Sequence, residues 1–191
     1  MIISIMIKWF SKINKNVVFS LYSPPYVPKN GIRLQQIHGK KIFTNPKKDN
    51  MSADGIFADR SGIYWVKTAD CMCIAVVGKE SSGIIHAGWK GLSSGILKEI
   101  EKKVKGEKEL FVFPFAQKCC YEFGEKLALK HFNKKHLEKT QGKKYLDMKG
   151  ILQGQSKSKI DFHPDCTICN KQFASKRAGR EGFNWIKMEI L

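Results

Sequence analysis

Arginine is scarce in this chain of 191 residues: of 34 basic side chains, only Arg33, Arg60, Arg177 and Arg180 carry a guanidinium, and the other thirty are lysine. Base readout and firm phosphate clamping draw on the planar, bidentate guanidinium, which the point charge of a lysine does not replace. The lysines are also scattered, in pairs such as Lys40/Lys41, Lys134/Lys135 and Lys143/Lys144. A net charge of +17 therefore does not by itself make a nucleic-acid-binding protein, and nucleic acid is not expected as a partner. Long apolar runs are missing too. Met1–Phe10 is apolar except for Ser4 and Lys8, which is too short to span a bilayer as a helix. No basic region precedes it and no small-residue cleavage site closes it. It reads as a first β-strand, and the protein as cytoplasmic with no membrane partner. Cysteine is thin as well: six in the chain, as Cys71-Met72-Cys73, Cys119-Cys120 and Cys166-Thr167-Ile168-Cys169, which excludes a disulfide scaffold.

What remains is ordinary globular material, 42% apolar and 27% charged, of a length that suits one domain over residues 1–191. Lys15–Tyr22 reads as a strand ended by Pro24, Pro25 and Pro28, and Gly31–Gly39 as a further extended segment. Lys40–Asn50 reads as a loop around Ile42–Phe43. Ala53–Ala58, Ile63–Thr68, Cys73–Val77 and Gly83–His86 follow as strands separated by turns. From Leu92 the apolar positions Leu92, Ile96, Leu97, Ile100 and Val104 fall at helical spacing, and Gly106 marks the stop. Leu110–Phe115 is a strand, Tyr121–Leu137 a helix, and the Lys-rich remainder closes with a strand at Trp185–Ile190. The fold class is α/β of the α+β type, with strands mainly in the first half.

Three polar segments interrupt these apolar runs: Gln36-Ile37-His38-Gly39, Thr68-Ala69-Asp70-Cys71 and His86-Ala87-Gly88-Trp89-Lys90-Gly91. Each puts a His or Cys at a strand end, where loop-edge sites are commonly built. Two imidazoles and a thiolate suit Zn²⁺ with its fourth position open to water, whose pKa the ion would lower. The alternative is two hydrogen-bonded structural histidines and a packed cysteine, and spacing does not show that residues 38, 71 and 86 meet.

With Ala53-Asp54-Gly55 and Cys119-Cys120-Tyr121-Glu122, these segments make five ordered blocks over about ninety residues. In order and separation they resemble the signature of the YfiH/YlmD-like laccase-domain family: Q-x-H-G, A-D-G, T-A-D-C, H-A-G-W-[RK]-G, C-C-Y-E. Cys166-Thr167 is similar to that family's late C-T pair. The resemblance implies packed mixed β-sheets covered by helices and zinc held by His38, Cys71 and His86. It also implies a purine nucleoside enzyme, phosphorolysing adenosine, inosine and methylthioadenosine with adenosine deamination beside it, so that its partners are a nucleoside and phosphate. Three other readings stand beside this one: a hydrolase editing peptidoglycan precursors that carry the wrong amino acid, a copper polyphenol oxidase, and a basic nucleic-acid-binding protein. Several coppers would need many imidazoles, and the chain has five histidines, so copper is the less favoured cofactor. The chain departs from the family pattern at Cys73 for Pro, Phe113–Lys118 for Gly-Pro-x-Ile-Gly-Pro, Lys90 for Arg and Leu152 for Asn.

The remaining candidates read as follows. Lys90 or Arg180 is the cation expected to hold phosphate. Asp54 reads as a turn residue with a pocket or acid/base role open, and Asp70 as a structural acceptor of backbone N–H groups. Cys119 and Cys120 read as packing residues, at most one of them facing a site because adjacent side chains diverge. Cys166 and Cys169 read as small reduced residues near a turn, with a metal clip drawing on Cys71 or Cys73 as the alternative. Trp89 is a purine stacker or a core anchor, and His131, His136 and His163 are surface or structural residues.

Overall fold

In the computed structural model, which describes residues 5–191, the apolar runs become strands in the order the sequence suggests. They are β1 (Ile5–Phe10), β2 (Val17–Tyr22), β3 (Ile32–Gln35), β4 (Ile42–Thr44), β5 (Met51–Ser52), β6 (Gly55–Ala58), β7 (Gly62–Thr68), β8 (Met72–Gly78) and β9 (Ser82–Ala87). Helices α1 (Trp89–Ser94) and α2 (Ile96–Lys103) come next, then β10 (Lys108–Val112) and α3 (Glu125–His131). The chain ends with β11 (Leu137–Thr140), β12 (Lys143–Leu146), α4 (Met148–Gln155), β13 (Ile160–Phe162) and β14 (Asn184–Ile190). The expected first strand is present as β1, and its proposed beginning at residues 1–4 lies outside the described residues.

Two six-stranded mixed sheets result, ordered β1-β2-β14-β7-β3-β5 and β13-β10-β8-β9-β6-β4. Strand β8 shows how the layers are built. All seven of its residues are buried, and successive side chains point to opposite faces. Cys73, Ala75 and Val77 pack with Phe19, Leu21, Val66 and Ile186 between the two sheets. Met72, Ile74 and Val76 pack with Leu92, Ile96 and Ile100 of the helices that cover the other face. This continuous apolar run is the signature of a strand covered on both sides. The last strand, β14, enters the first sheet between β2 and β7, antiparallel to both. Among the described residues no helix is long and apolar enough to cross a membrane.

Four local expectations are corrected. Strands β6 and β7 are neighbours in sequence but lie in different sheets, so of the strand–turn–strand series only β8–β9 is a paired hairpin. Ile42–Phe43 is not in a loop: β4 pairs parallel with β6. The helix foreseen from Leu92 begins at Trp89 and is broken at Gly95, whose φ of +88° lies in the left-handed region. The helix foreseen over Tyr121–Leu137 shrinks to α3 and a 3₁₀ turn at Lys134–His136. Its apolar residues were out of phase. Leu127 and Leu129 are exposed, while Tyr121 and Phe123 are buried in the stretch before the helix.

Candidate metal centre

The three polar segments converge because each is anchored by its neighbours. At the end of β3 the amide of Gln36 acts as a peptide surrogate, donating from Nε2 to the Lys67 carbonyl (2.8 Å) and accepting the Lys67 N–H at Oε1 (2.9 Å). That extends the parallel β3–β7 pairing and delivers His38, whose φ of +57° turns the chain toward the second sheet. Cys71 lies on the connection between β7 and β8, which belong to different sheets. Its neighbour Asp70, at φ +86°, accepts Thr167 Oγ1–H (2.8 Å) and the Arg177 N–H (2.9 Å) through its carboxylate, as expected of a structural acceptor. His86 sits near the end of β9, opposite Cys73.

The structure thus brings His38, Cys71 and His86 together, with one ligand atom of each within 4.8 Å of the others. The imidazoles meet edge to face, their centroids 4.7 Å apart at 87°. His86 is buried, Cys71 half-buried and His38 exposed, so the group opens to solvent on the His38 side. Behind it lies Asp54, fully buried. Its Oδ1 accepts from His86 Nδ1 (2.9 Å) and from the His38 N–H (2.9 Å), and its Oδ2 accepts the Gly39 N–H (2.7 Å). With Nδ1–H committed to a carboxylate, the free lone pair of His86 is on Nε2, the arrangement metal-binding histidines ordinarily have. The Asp54 found here is more than a turn residue: it reaches the centre through His86.

The electrostatics agree with the geometry. Burial works against charge at Cys71, but hydrogen bonds and charge from His38 and His86 outweigh it and bring the thiol down to about 7. Burial likewise disfavours the His86 cation, yet Asp54 and Cys71 raise it to about 9. Burial would raise the Asp54 carboxyl as well, and His86, Gly39 and His38 hold it below its ordinary value.

Gly88 lies against this group. A Cβ there would lie 3.1 Å from Cys71 Sγ and 3.5 Å from His38 Cδ2. Gly88→Ala should therefore weaken metal loading about tenfold, the scale of a modest overpacking cost. Competition against a chelator measures this, with the melting temperature little changed, and unaltered affinity would show that Cys71 can move aside.

The other candidates fall elsewhere. Lys90 is exposed on α1, its Nζ 5.7 Å from the Trp89 ring centroid. Arg180 is not free for phosphate: its guanidinium and Nε donate to the carbonyls of Phe173, Thr167, Ile168 and Asn170. Trp89 packs against Phe123 and His131, with centroids at 5.4 and 5.2 Å, as a core anchor. Cys119, Cys120, Cys166 and Cys169 form a second group of ligand atoms within 4.8 Å of one another. Sequence reasoning missed that group, although two cysteine pairs outside the first site were its signal. The metal clip imagined for Cys71 or Cys73 is thereby replaced, since Cys73 is fully buried between the sheets.

Comparison with known proteins gives a consistent picture. The family model described as multi-copper polyphenol oxidoreductase laccase matches residues 14–185. The chain is 33% identical over 154 residues to a purine nucleoside phosphorylase of Aquifex aeolicus, covering 74% of this chain and 73% of that protein. It is 29% identical over 169 residues to a purine nucleoside phosphorylase of Clostridium acetobutylicum, covering 78% and 70%. Among solved structures, a Neisseria meningitidis protein superposes with a TM-score of 0.82 at 18% identity, over 96% of this chain and 98% of that one. YlmD from Geobacillus stearothermophilus superposes at 0.72 with 22% identity, over 83% and 73%. These structural likenesses share the mixed sheets and the helices that cover them.

Proposed function

Since the chain belongs to the multi-copper polyphenol oxidoreductase laccase family, whose members include the YfiH-like proteins, we propose that it is a zinc-dependent purine nucleoside enzyme. Its main reaction in this reading is phosphorolysis of adenosine, inosine or methylthioadenosine, with adenosine deamination as a second activity. The observation that carries the reading is the His38, Cys71 and His86 group, backed by Asp54 and open on one side. Names of relatives supply the substrate class.

The donor set fits one zinc ion. Two neutral nitrogens and one thiolate are the borderline-soft ligands zinc prefers, and three protein ligands leave a position for water or substrate. The same donors suit copper less specifically, but an oxidase of the multicopper kind needs imidazoles around several ions. Among the described residues, neither ligand group contains His131, His136 or His163. Zinc bound here would supply a Lewis acid that lowers the pKa of a bound water.

The chain's own residues divide the remaining work. Asp54 fixes the ring orientation and tautomer of His86. Gly88 keeps the space beside Cys71 clear, and the exposed edge of His38 marks the side from which substrate enters. Lys90, on the helix that follows His86, is the cation assigned to phosphate. In phosphorolysis the phosphate oxygen bonds to the sugar carbon as the bond to the purine nitrogen breaks. In deamination water adds at C6 and ammonia leaves.

Incubating adenosine with the protein, with and without phosphate, separates the two reactions. Adenine and ribose 1-phosphate should appear only with phosphate, and inosine in either case. Lys90→Ala should lower the phosphate-dependent rate about tenfold, the value of one charge-assisted contact, and leave inosine formation nearly unchanged. Equal losses in both reactions would remove the special role of Lys90. A metal-loaded protein that turns over no purine nucleoside would refute the proposed function.

A further inference from the structure

Four cysteines that the nucleoside site does not use meet at the edge of the second sheet. Parallel pairing of β10 with β13 brings the chain exits of both strands side by side. Phe115 bridges to Cys166, the Thr167 N–H donates to the Phe115 carbonyl (3.1 Å), and Gln117 Nε2 donates to the Pro164 carbonyl (2.8 Å). Cys119 and Cys120 lie in a tight turn, where the Cys120 and Tyr121 N–H groups both donate to the Gln117 carbonyl (3.0 and 2.9 Å). In such a turn consecutive side chains need not diverge as they do along a strand. Cys119 Sγ is 3.7 Å and Cys120 Sγ 3.0 Å from Cys169 Sγ, and all four sulfurs lie within 4.8 Å of one another.

These spacings suit a single ion. Four thiolates at the ordinary Zn–S distance of about 2.3 Å form a tetrahedron with edges of about 3.8 Å. The shortest separation, 3.0 Å, is well beyond the roughly 2.05 Å of a disulfide bond. An iron–sulfur cluster would hold its thiolates at the corners of an inorganic core, farther apart than this. A second observation points the same way. The Gln117 N–H donates to Cys166 Sγ (3.4 Å). An N–H donor on the first cysteine of a C-x-x-C pair orients and stabilises a metal-bound thiolate. Cys119 and Cys169 are also exposed, a position in which unligated thiols are open to oxidation.

We propose that Cys119, Cys120, Cys166 and Cys169 form a second, structural zinc site, a closed tetrathiolate distinct from the His38, Cys71 and His86 centre. It staples two loops that support that centre. Thr167, beside Cys166, donates to Asp70 Oδ1, and the Ala116 N–H, close to Cys119, donates to the Asp70 carbonyl (2.9 Å). Asp70 in turn precedes Cys71 in the chain.

The test is the zinc content of protein purified with reductant and without chelator. By ligand count, the wild-type chain should hold about two zinc ions. Cys71→Ala and the double variant Cys166→Ser/Cys169→Ser should each hold about one. Cobalt substitution gives an independent reading that does not depend on the double variant folding. In the Cys71→Ala chain, cobalt should show the intense visible bands and sulfur-to-metal charge transfer of a tetrahedral tetrathiolate. Neither measurement involves nucleoside turnover, so an inactive enzyme with two zinc ions would refute the proposed function and leave this site standing. A Cys71→Ala protein without zinc, a Cys120–Cys169 disulfide in the reduced preparation, or iron with acid-labile sulfide would overturn it.

Discussion

Cys71→Ala is expected to empty the His38/His86 centre and abolish both the phosphate-dependent and the phosphate-independent reaction of adenosine. Cys71 is the sole anionic donor of the group, and His38 and His86 alone leave two neutral ligands, one of them exposed to water. The loss should run well beyond the roughly 10–100-fold that removal of a supporting partner costs, because a ligand itself is gone. Folding should be nearly unaffected, since Cys71 is half-buried and the connection around it is held by Asp70 and Gln36 rather than by its sulfur. Zinc content, circular dichroism and adenosine turnover on the same preparation check each part. Full activity in a folded Cys71→Ala protein would contradict the metal assignment, whereas gross unfolding would mean that the sulfur has a packing role the burial does not suggest.

The residues grouped at this centre stood out in the sequence as polar residues at the ends of apolar strands, although spacing did not show that they meet, and β8 was legible because its run is apolar throughout. Pairing was not. Whether β6 joins β7 or β9 depends on burial against residues far along the chain, and the Asp59–Gly62 segment carries no sign that the chain changes sheets there. Helical period failed over Tyr121–Leu137 because Tyr121 and Phe123 are held by cross-chain pairing with β12 instead: the Phe123 N–H donates to the Lys144 carbonyl (2.8 Å) and the Leu146 N–H to the Tyr121 carbonyl (3.0 Å). On extended backbone the side chains of Cys119 and Cys120 would diverge, whereas the turn at Gln117–Tyr121 brings both sulfurs near Cys169. Arg180 looked free because its partners are main-chain carbonyls, which no residue type announces.

Asp54→Asn is expected to weaken zinc binding at the same centre by about 10–100-fold, the usual cost of losing a partner behind a ligand. All three groups that face the Asp54 carboxylate are donors: His86 Nδ1–H, the His38 N–H and the Gly39 N–H. A carboxylate accepts from all of them, but an amide must turn its NH₂ toward one side. If the NH₂ faces Gly39, a part-buried backbone N–H loses its acceptor, at about 1 kcal/mol of stability. If it takes the Oδ1 side, the His38 N–H loses its acceptor, the favoured His86 tautomer inverts and the proton moves to Nε2, the atom needed for the metal. Both outcomes cost a backbone hydrogen bond, and they are distinguishable, since only the second also places the proton on Nε2 and lowers zinc affinity strongly. Because Asp54 acts on zinc through His86, its effect should nearly vanish once Cys71 is already alanine. A double-mutant cycle on the zinc-dependent rise in melting temperature should then be strongly non-additive. Wild-type zinc affinity in Asp54→Asn would place the carboxylate in loop structure alone, and additive losses in the cycle would separate it from the metal altogether.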